Sequence, residues 1–210
     1  MQTPFDTIPP TRLPRLARVA TLAGGIALAA LAGTTLAAAT APEGQMARDL
    51  ATRDRDIHWP VGFEPENADL FAHNEALLDV PCESAWRHIV DVAAWPNWYP
   101  NARNVTPLDG ATELAPAVRW RWTTFGLAIE SRVHEFVPGR RLGWFGGASG
   151  EAPAFYHTWL LRPEGRGCRV AMDEAGIGAG AAAFREADEG RMHRGHTLWL
   201  ETLRWISAGG

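Results

Sequence analysis

From about residue 70 onward the apolar positions follow two different periods. Residues 70–80 read as a strand. After Cys82-Glu83-Ser84, Ala85, Ile89 and Val92 recur at helical spacing until Pro96 and Pro100 break the pattern, leaving the aromatic knot Trp95-Pro96-Asn97-Trp98-Tyr99-Pro100. The period then changes to two. Residues 118–123, 127–137, 141–145, 155–161 and 169–174 alternate, separated by turn signals at Phe125-Gly126, Pro138-Gly139, 146–153 and Pro163-Glu164-Gly165. The last stretch, 184–206, predicts one long helix, with Met192, His196, Trp199, Leu203 and Ile206 on one stripe and Arg191, Arg194, Glu201 and Arg204 off it. This order predicts an α+β domain with its helices on one face of an antiparallel sheet.

A tight hairpin at Phe125-Gly126 pairs Thr124 with Leu127. Trp122 then faces Ile129, Trp120 faces Ser131 and Arg121 faces Glu130. One face carries Trp120, Trp122, Ile129, Ser131 and Val133, and the other Arg119, Arg121, Glu130, Arg132 and His134. A slip of one residue would turn the arginines inward, so the register is well determined. Carried through the later turns, the apolar face gains Glu135, Leu142, Trp144, Phe155, His157, Trp159, Leu161, Val170, Met172 and Glu174. Such a face, rich in Trp with Ser131, Glu135, His157 and Glu174 as its polar members, has the form of a small-molecule site.

The first 41 residues are different material. Arg12, Arg15 and Arg18 precede an uncharged apolar run over 19–32, followed by small residues fitting a cleavage site near Ala39, which predicts a secretory signal peptide, with an uncleaved membrane anchor as the alternative. Residues 42–67 read as a linker or docking arm, in which Trp59 and Phe63 flank Pro60 and Gly62, and the remaining domain spans 68–207. The net charge is −4, and since residues 1–41 carry +2, the rest carries −6. All 20 basic residues are arginine, which removes Schiff-base and P-loop lysine chemistry. An acidic chain without a basic run is not built for nucleic acid. His193-x-x-His196 reads as packing rather than a metal pair, and Gly176–Gly180 lacks a full dinucleotide fingerprint, so no metal or cofactor is expected.

The segments ALLDVPCESAWRHIVDVAAWPNWYP, SRVHEFVPGRRLGWFG, YHTWLLRPEGRGCRV and GHTLWLETLRW, in that order, resemble the SRPBCC, or START-like, superfamily, and within it the polyketide cyclase/dehydrase and lipid-transport branch. The resemblance covers about residues 68–207. It implies a helix-grip fold: a curved antiparallel sheet of about seven strands wrapped on a long C-terminal helix, with two short helices after the first strand. It also implies an internal apolar cavity. Trp95–Pro100 would then form a lid or plug over the cavity mouth, adding Trp98 and Tyr99 to a ligand lining of Trp120, Trp122, Ser131, Trp144, Phe155, Trp159, Met172, His196 and Trp199.

The function expected is binding or carriage of a hydrophobic or aromatic small molecule or lipid, outside the cytoplasm, in the periplasm or beyond the cell. One alternative is a cyclase or dehydratase in which His157 moves a proton, oriented by Glu135 or Glu174. Another is a module at the membrane surface without a ligand, attached through its N-terminal segment. In the helix-grip order the end of the first strand lies beside the start of the last, which brings Cys82 toward Cys168. An exported chain permits a bridge, but the direction of the helix begun by Cys82 is not fixed, and two buried thiols are the favoured state.

Overall fold

The structure, a computed structural model, describes residues 43–108 and 110–209. The expected signal segment lies outside them. No helix among the described residues is long and apolar enough to cross a membrane.

The elements run α1 (Gln45–Thr52), β1 (Leu70–Leu78), α2 (Cys82–Val90), α3 (Trp95–Trp98), β2 (Arg103–Pro107), β3 (Arg119–Thr124), β4 (Leu127–Val137), β5 (Arg141–Gly147), β6 (Phe155–Glu164), β7 (Gly167–Gly176), α4 (Ala179–Ala187) and α5 (Arg191–Ser207). The strands form one antiparallel seven-stranded sheet in the order β1-β7-β6-β5-β4-β3-β2. This is the helix grip: α5 lays its stripe of Met192, His196, Trp199, Leu200 and Leu203 against the concave face. β2 escapes the alternation pattern because its pairing with β3 shifts register between Arg103 and Thr106, with Asn104 at φ 52°.

The β3–β4 register is the expected one, Trp120 opposite Ser131, Arg121 opposite Glu130 and Trp122 opposite Ile129. Beyond it one expectation fails. A bulge between Val133 and Glu135 opposite Trp144 and Gly143 inserts an extra residue and reverses the parity of β4. Phe136, not Glu135, then joins the concave core against Trp86. Glu135 turns to the convex side, where its carboxylate meets His58 Nδ1 at 2.8 Å.

The predicted single C-terminal helix is broken. α4 ends at Ala187, and α5 restarts at Arg191 after Gly190. Glu189 in the break accepts the backbone N–H groups of Gln45 (3.0 Å) and Met46 (3.2 Å), capping α1.

The expectation of two free thiols is also corrected: Cys82 and Cys168 form a disulfide, with Cα atoms 4.9 Å apart. Leu78 pairs with Cys168 at the ends of β1 and β7. The chain returns over the concave face into α2, so Cys82 comes down on Cys168 from the same side of the sheet. The bridge closes a separation of 86 residues, which limits the unfolded chain by about 4–5 kcal/mol on the loop-entropy estimate.

Residues 43–69 are a docked arm. Trp59 lies edge-on to Phe71 (5.9 Å) and Tyr156 (6.0 Å), and Phe63 packs on Phe145 (5.5 Å). Ile57 covers Leu160 and Ala171. Arg162 bonds Asp54 and Asp56, and Arg141 Nη2 reaches Asp56 Oδ2 at 2.5 Å. The arm therefore covers much of the convex face of β1, β5, β6 and β7, leaving Glu75 and Leu77 near the end of β1 exposed. β3 keeps a one-sided pattern, with Arg119 and Arg121 exposed and Trp120 and Trp122 buried.

Candidate functional site

Between the sheet and α5 the interior is filled mainly by indoles. Trp95, delivered by α3, lies at its centre, its ring 6.0 Å from Trp120, 5.3 Å from Trp122, 5.8 Å from Trp144 and 5.1 Å from Trp199. Tyr99 stacks on Trp199 at 4.3 Å, and Trp159 meets Trp199 edge-on at 5.1 Å. The aromatic knot is thus a plug, and it fills the centre of the fold.

What stays open is a small pocket at one end of the concave face. It is lined by Trp122, Thr124, Phe125, Leu127, Ile129, Ser131, Trp144, Gly146, Phe155, His157, Glu174, Phe184 and Met192, and its free volume is about 30 Å³. That is room for one or two waters, far below the roughly 300–1,000 Å³ of ligand pockets. A ligand therefore enters only if the side chains at the mouth move.

The mouth has a specific construction. Phe125 and Gly126 have φ of 52° and 83°, the positive values of a two-residue hairpin turn. Phenylalanine is costly in that region and is held there by its partners. Its N–H donates to Asn101 Oδ1 (2.9 Å), and its carbonyl accepts from Arg191 Nη2 (2.8 Å). Its ring meets Phe184 of α4 edge-on at 5.6 Å. It also lies directly on Gly195, where any Cβ would overlap the ring. Glycine inside a helix costs about 1 kcal/mol, and here it seats the hairpin tip.

The inner end of the pocket is polar. His157 on β6 and Glu174 on β7 are cross-strand partners, and His196 reaches the same carboxylate from α5. Glu174 Oε2 lies 3.2 Å from His157 Nδ1 and 2.9 Å from His196 Nε2. An ionised carboxylate only accepts, so both facing nitrogens carry hydrogen. Among the described residues, His157 Nε2 and His196 Nδ1 are buried without a partner. Burial would raise the Glu174 pKa, but the two imidazole hydrogen bonds outweigh it and hold it at about 2. His157 is pushed down to about 4, chiefly by burial against the opposing pull of Glu174, and its ring stacks on Trp144 at 4.3 Å. It is neutral near pH 7. The same three ligand atoms lie within 4.8 Å of one another and are the group among the described residues that could hold a metal ion. The unpartnered outer nitrogens weigh against one, because metal-bound histidines normally donate that N–H to a neighbour.

Of the residues expected from sequence, Trp122, Ser131, Trp144, Phe155, His157 and Glu174 line the pocket. Ser131 is also structural, accepting from Trp122 Nε1 at 3.0 Å. Trp98, Tyr99, Trp120, Trp159, Met172 and Trp199 belong to the packed core instead, because helices α3 and α5 bring their own rings into the space that alternation alone leaves empty. His196 stands behind Glu174, and Glu135 is on the opposite face. Sequence reasoning misses Thr124, Phe125, Leu127, Gly146 and Phe184 as lining residues. Their signal is topological: the hairpin tip meets the start of the C-terminal helices at the open end of the grip.

The comparisons agree with this architecture. No curated protein matches the chain significantly. Among solved structures, the hypothetical protein jhp0584 of Helicobacter pylori superposes with a TM-score of 0.67 at 27% identity, covering 74% of this chain and 98% of that one. TTHA0849 of Thermus thermophilus gives 0.51 at 18% identity (66% and 97% covered), and Ara h 8.0201 gives 0.51 at 9% (67% and 98%), so these two share the fold. The sequence model for "polyketide cyclase / dehydrase and lipid transport" matches residues 72–197, from β1 into α5. The match takes in both strands and the helix that supply Glu174, His157 and His196, as well as the hairpin above them, and with the helix-grip topology it makes this chain a member of the polyketide cyclase/dehydrase and lipid-transport family.

Proposed function

We propose that the protein binds a small hydrophobic or aromatic molecule, admitted beneath the β3–β4 hairpin tip, with its polar end against Glu174. The observation that carries this is the pocket: aromatic and aliphatic walls closing on a single carboxylate, beside a core filled by indoles. Family membership supports a hydrophobic ligand in general terms. The mouth supports an opening motion, since Phe125 sits in a strained turn against ring and backbone contacts that can separate together.

Proton transfer by His157 is the weaker reading. Its Nδ1 is engaged by Glu174 and its Nε2 is buried, with no hydrogen bond among the described residues, and a general base must reach the proton it takes. The test is titration with 2-naphthol, followed by tryptophan emission. Saturable quenching is expected, and Ile129→Trp, which fills the pocket, should weaken it at least about tenfold without lowering Tm. Absence of saturable binding, or unchanged binding in Ile129→Trp, contradicts the reading.

We also propose that the protein acts outside the cytoplasm. The arginine-flanked apolar run at the N-terminus and the Cys82–Cys168 bridge support it. A reporter fused after Gly44 that is active only in the cytoplasm would refute it, and the same fractionation separates released from membrane-held protein.

A further inference from the structure

The charge inside the pocket has one sign. Among the described residues its only ionised lining group is Glu174, no arginine lines it, and the chain has no lysine. Arg191, at the rim, is exposed and engaged with Phe125 and the face of Phe184. Oε2 of Glu174 is taken by two imidazole donors, while Oε1 makes no hydrogen bond among the described residues. A carboxylate offers about four acceptor positions, so its unused oxygen is a vacant acceptor, and Glu174 is part of the pocket lining. Trp122, Trp144 and Phe155 line the same pocket, with one face of Trp144 stacked on His157. Aromatic faces attract cations, more strongly when water is excluded. The same low-dielectric setting magnifies repulsion between Glu174 and an anion. A fatty acid or other carboxylate would place like charges together, whereas an ammonium group would supply the missing countercharge and the donors Oε1 lacks.

We infer that the pocket is a site for an organic ammonium ligand, an aromatic or short-chain amine whose N–H groups bond Glu174 Oε1 while its hydrocarbon lies among Trp122, Trp144 and Phe155. This deepens the proposed function and rests on the pocket being a binding site. It also fixes which polar end is admitted: a donor, best a cationic one.

The test uses three probes with one ring system and different heads: 2-naphthylmethylamine, 2-naphthylmethanol and 2-naphthoate, measured by calorimetry on the full protein at pH 7.5. The amine should bind at least about tenfold more tightly than the alcohol, and the carboxylate should show no saturable binding. In Glu174→Gln the preference for the amine over the alcohol should fall to less than about twofold. Equal affinity of amine and alcohol, or preference for the carboxylate, overturns the inference while leaving the pocket reading in place. Failure of all three probes removes both. Should Glu174→Gln not fold, the ranking in the unaltered protein decides the matter alone.

Discussion

Two buried histidine–carboxylate pairs lie on opposite faces of the same sheet and behave oppositely. On the convex face, under the arm, His73 Nδ1 lies 2.6 Å from Asp173 Oδ1 across the β1–β7 ladder. On the concave face His157 and His196 share Glu174. Burial works against the charged imidazole in both, yet the pKa of His73 is raised, because Asp173 and the charges of Glu75 and Asp49 together outweigh desolvation. His157 has one carboxylate, divided with a second imidazole, and is pushed down to about 4. The proton balance is set both by depth, since His157 is the more deeply buried, and by how many carboxylates each imidazole faces. The convex pair is covered by the arm, and the concave one ends a pocket. The difference separates a group that ties elements together from one left with an unused acceptor.

The largest test of this contrast is in the packing. Trp95 is fully buried and touches four other indoles, so Trp95→Ala should cost about 4–5 kcal/mol, while Phe63→Ala, which removes one arm anchor on the convex face, should cost about 3 kcal/mol. Urea midpoints measure both. A smaller loss for Trp95→Ala would mean that the concave interior is looser than the packed indole cluster implies.

Next is the disulfide. Cys82→Ser with Cys168→Ser should lower stability by about 2–5 kcal/mol, read as the difference in denaturation midpoint between oxidised and doubly substituted protein. Because the bridge ties α2 to the start of β7, the loss should leave arm docking intact, with no new protease cleavage within residues 43–69. Cleavage there would show that the two faces are not independent.

The pH slopes come last, and their signs differ. His157 has its folded pKa depressed from 6.5 to about 4. Its contribution is therefore complete above about pH 6.5 and is lost on acidification toward pH 4, with a slope of at most about 1.4 kcal/mol per pH unit. His73 has its folded pKa raised above 6.5, so its contribution is present below that value and is lost as pH rises through the folded pKa. Stability measured from pH 4 to 9 should show a shallower acid-side slope in His157→Gln, with the remainder from His88, which burial also pushes down, and a shallower alkaline-side decline in His73→Gln. Matching profiles in the two variants would erase the distinction.

The hairpin Trp120–Ser131 was legible because three constraints agreed: a turn sequence, apolar groups facing one another, and Arg121 opposite Glu130. The fate of Glu135 was not, since a bulge leaves no mark in an alternating run. The arm left a signal in retrospect. On the convex side of β5 and β6, Phe145, Tyr156, Thr158 and Leu160 are uncharged, and the charged convex residues Arg141, Arg162 and Asp173 of β5–β7 are paired with Asp56, Asp54 and His73, whereas the convex residues of β3 and β4 are largely Arg and Glu, as expected where only the first group is covered. Alternation identified which face holds Trp120, Trp122, Trp144 and Trp159, but it carries no information about volume. Trp95 and Trp199 fill that space from helices whose placement is a tertiary fact. The carboxylate between two histidines required β6, β7 and α5 to be brought together, although His157 and Glu174 were already on one face by period two.

The central claim is that ligands enter at one end of an otherwise solid interior. The most direct measurement is a nitrogen-15 correlation spectrum of the protein titrated with 2-naphthylmethylamine. Shifts should concentrate at Phe125, Ile129, Gly146, Phe184 and Met192 and at the ring nitrogens of His157 and His196, leaving Ile57, Trp59 and Phe63 of the arm unmoved. Shifts centred on the arm, or spread through Trp95 and Trp120 at the core, would contradict the account.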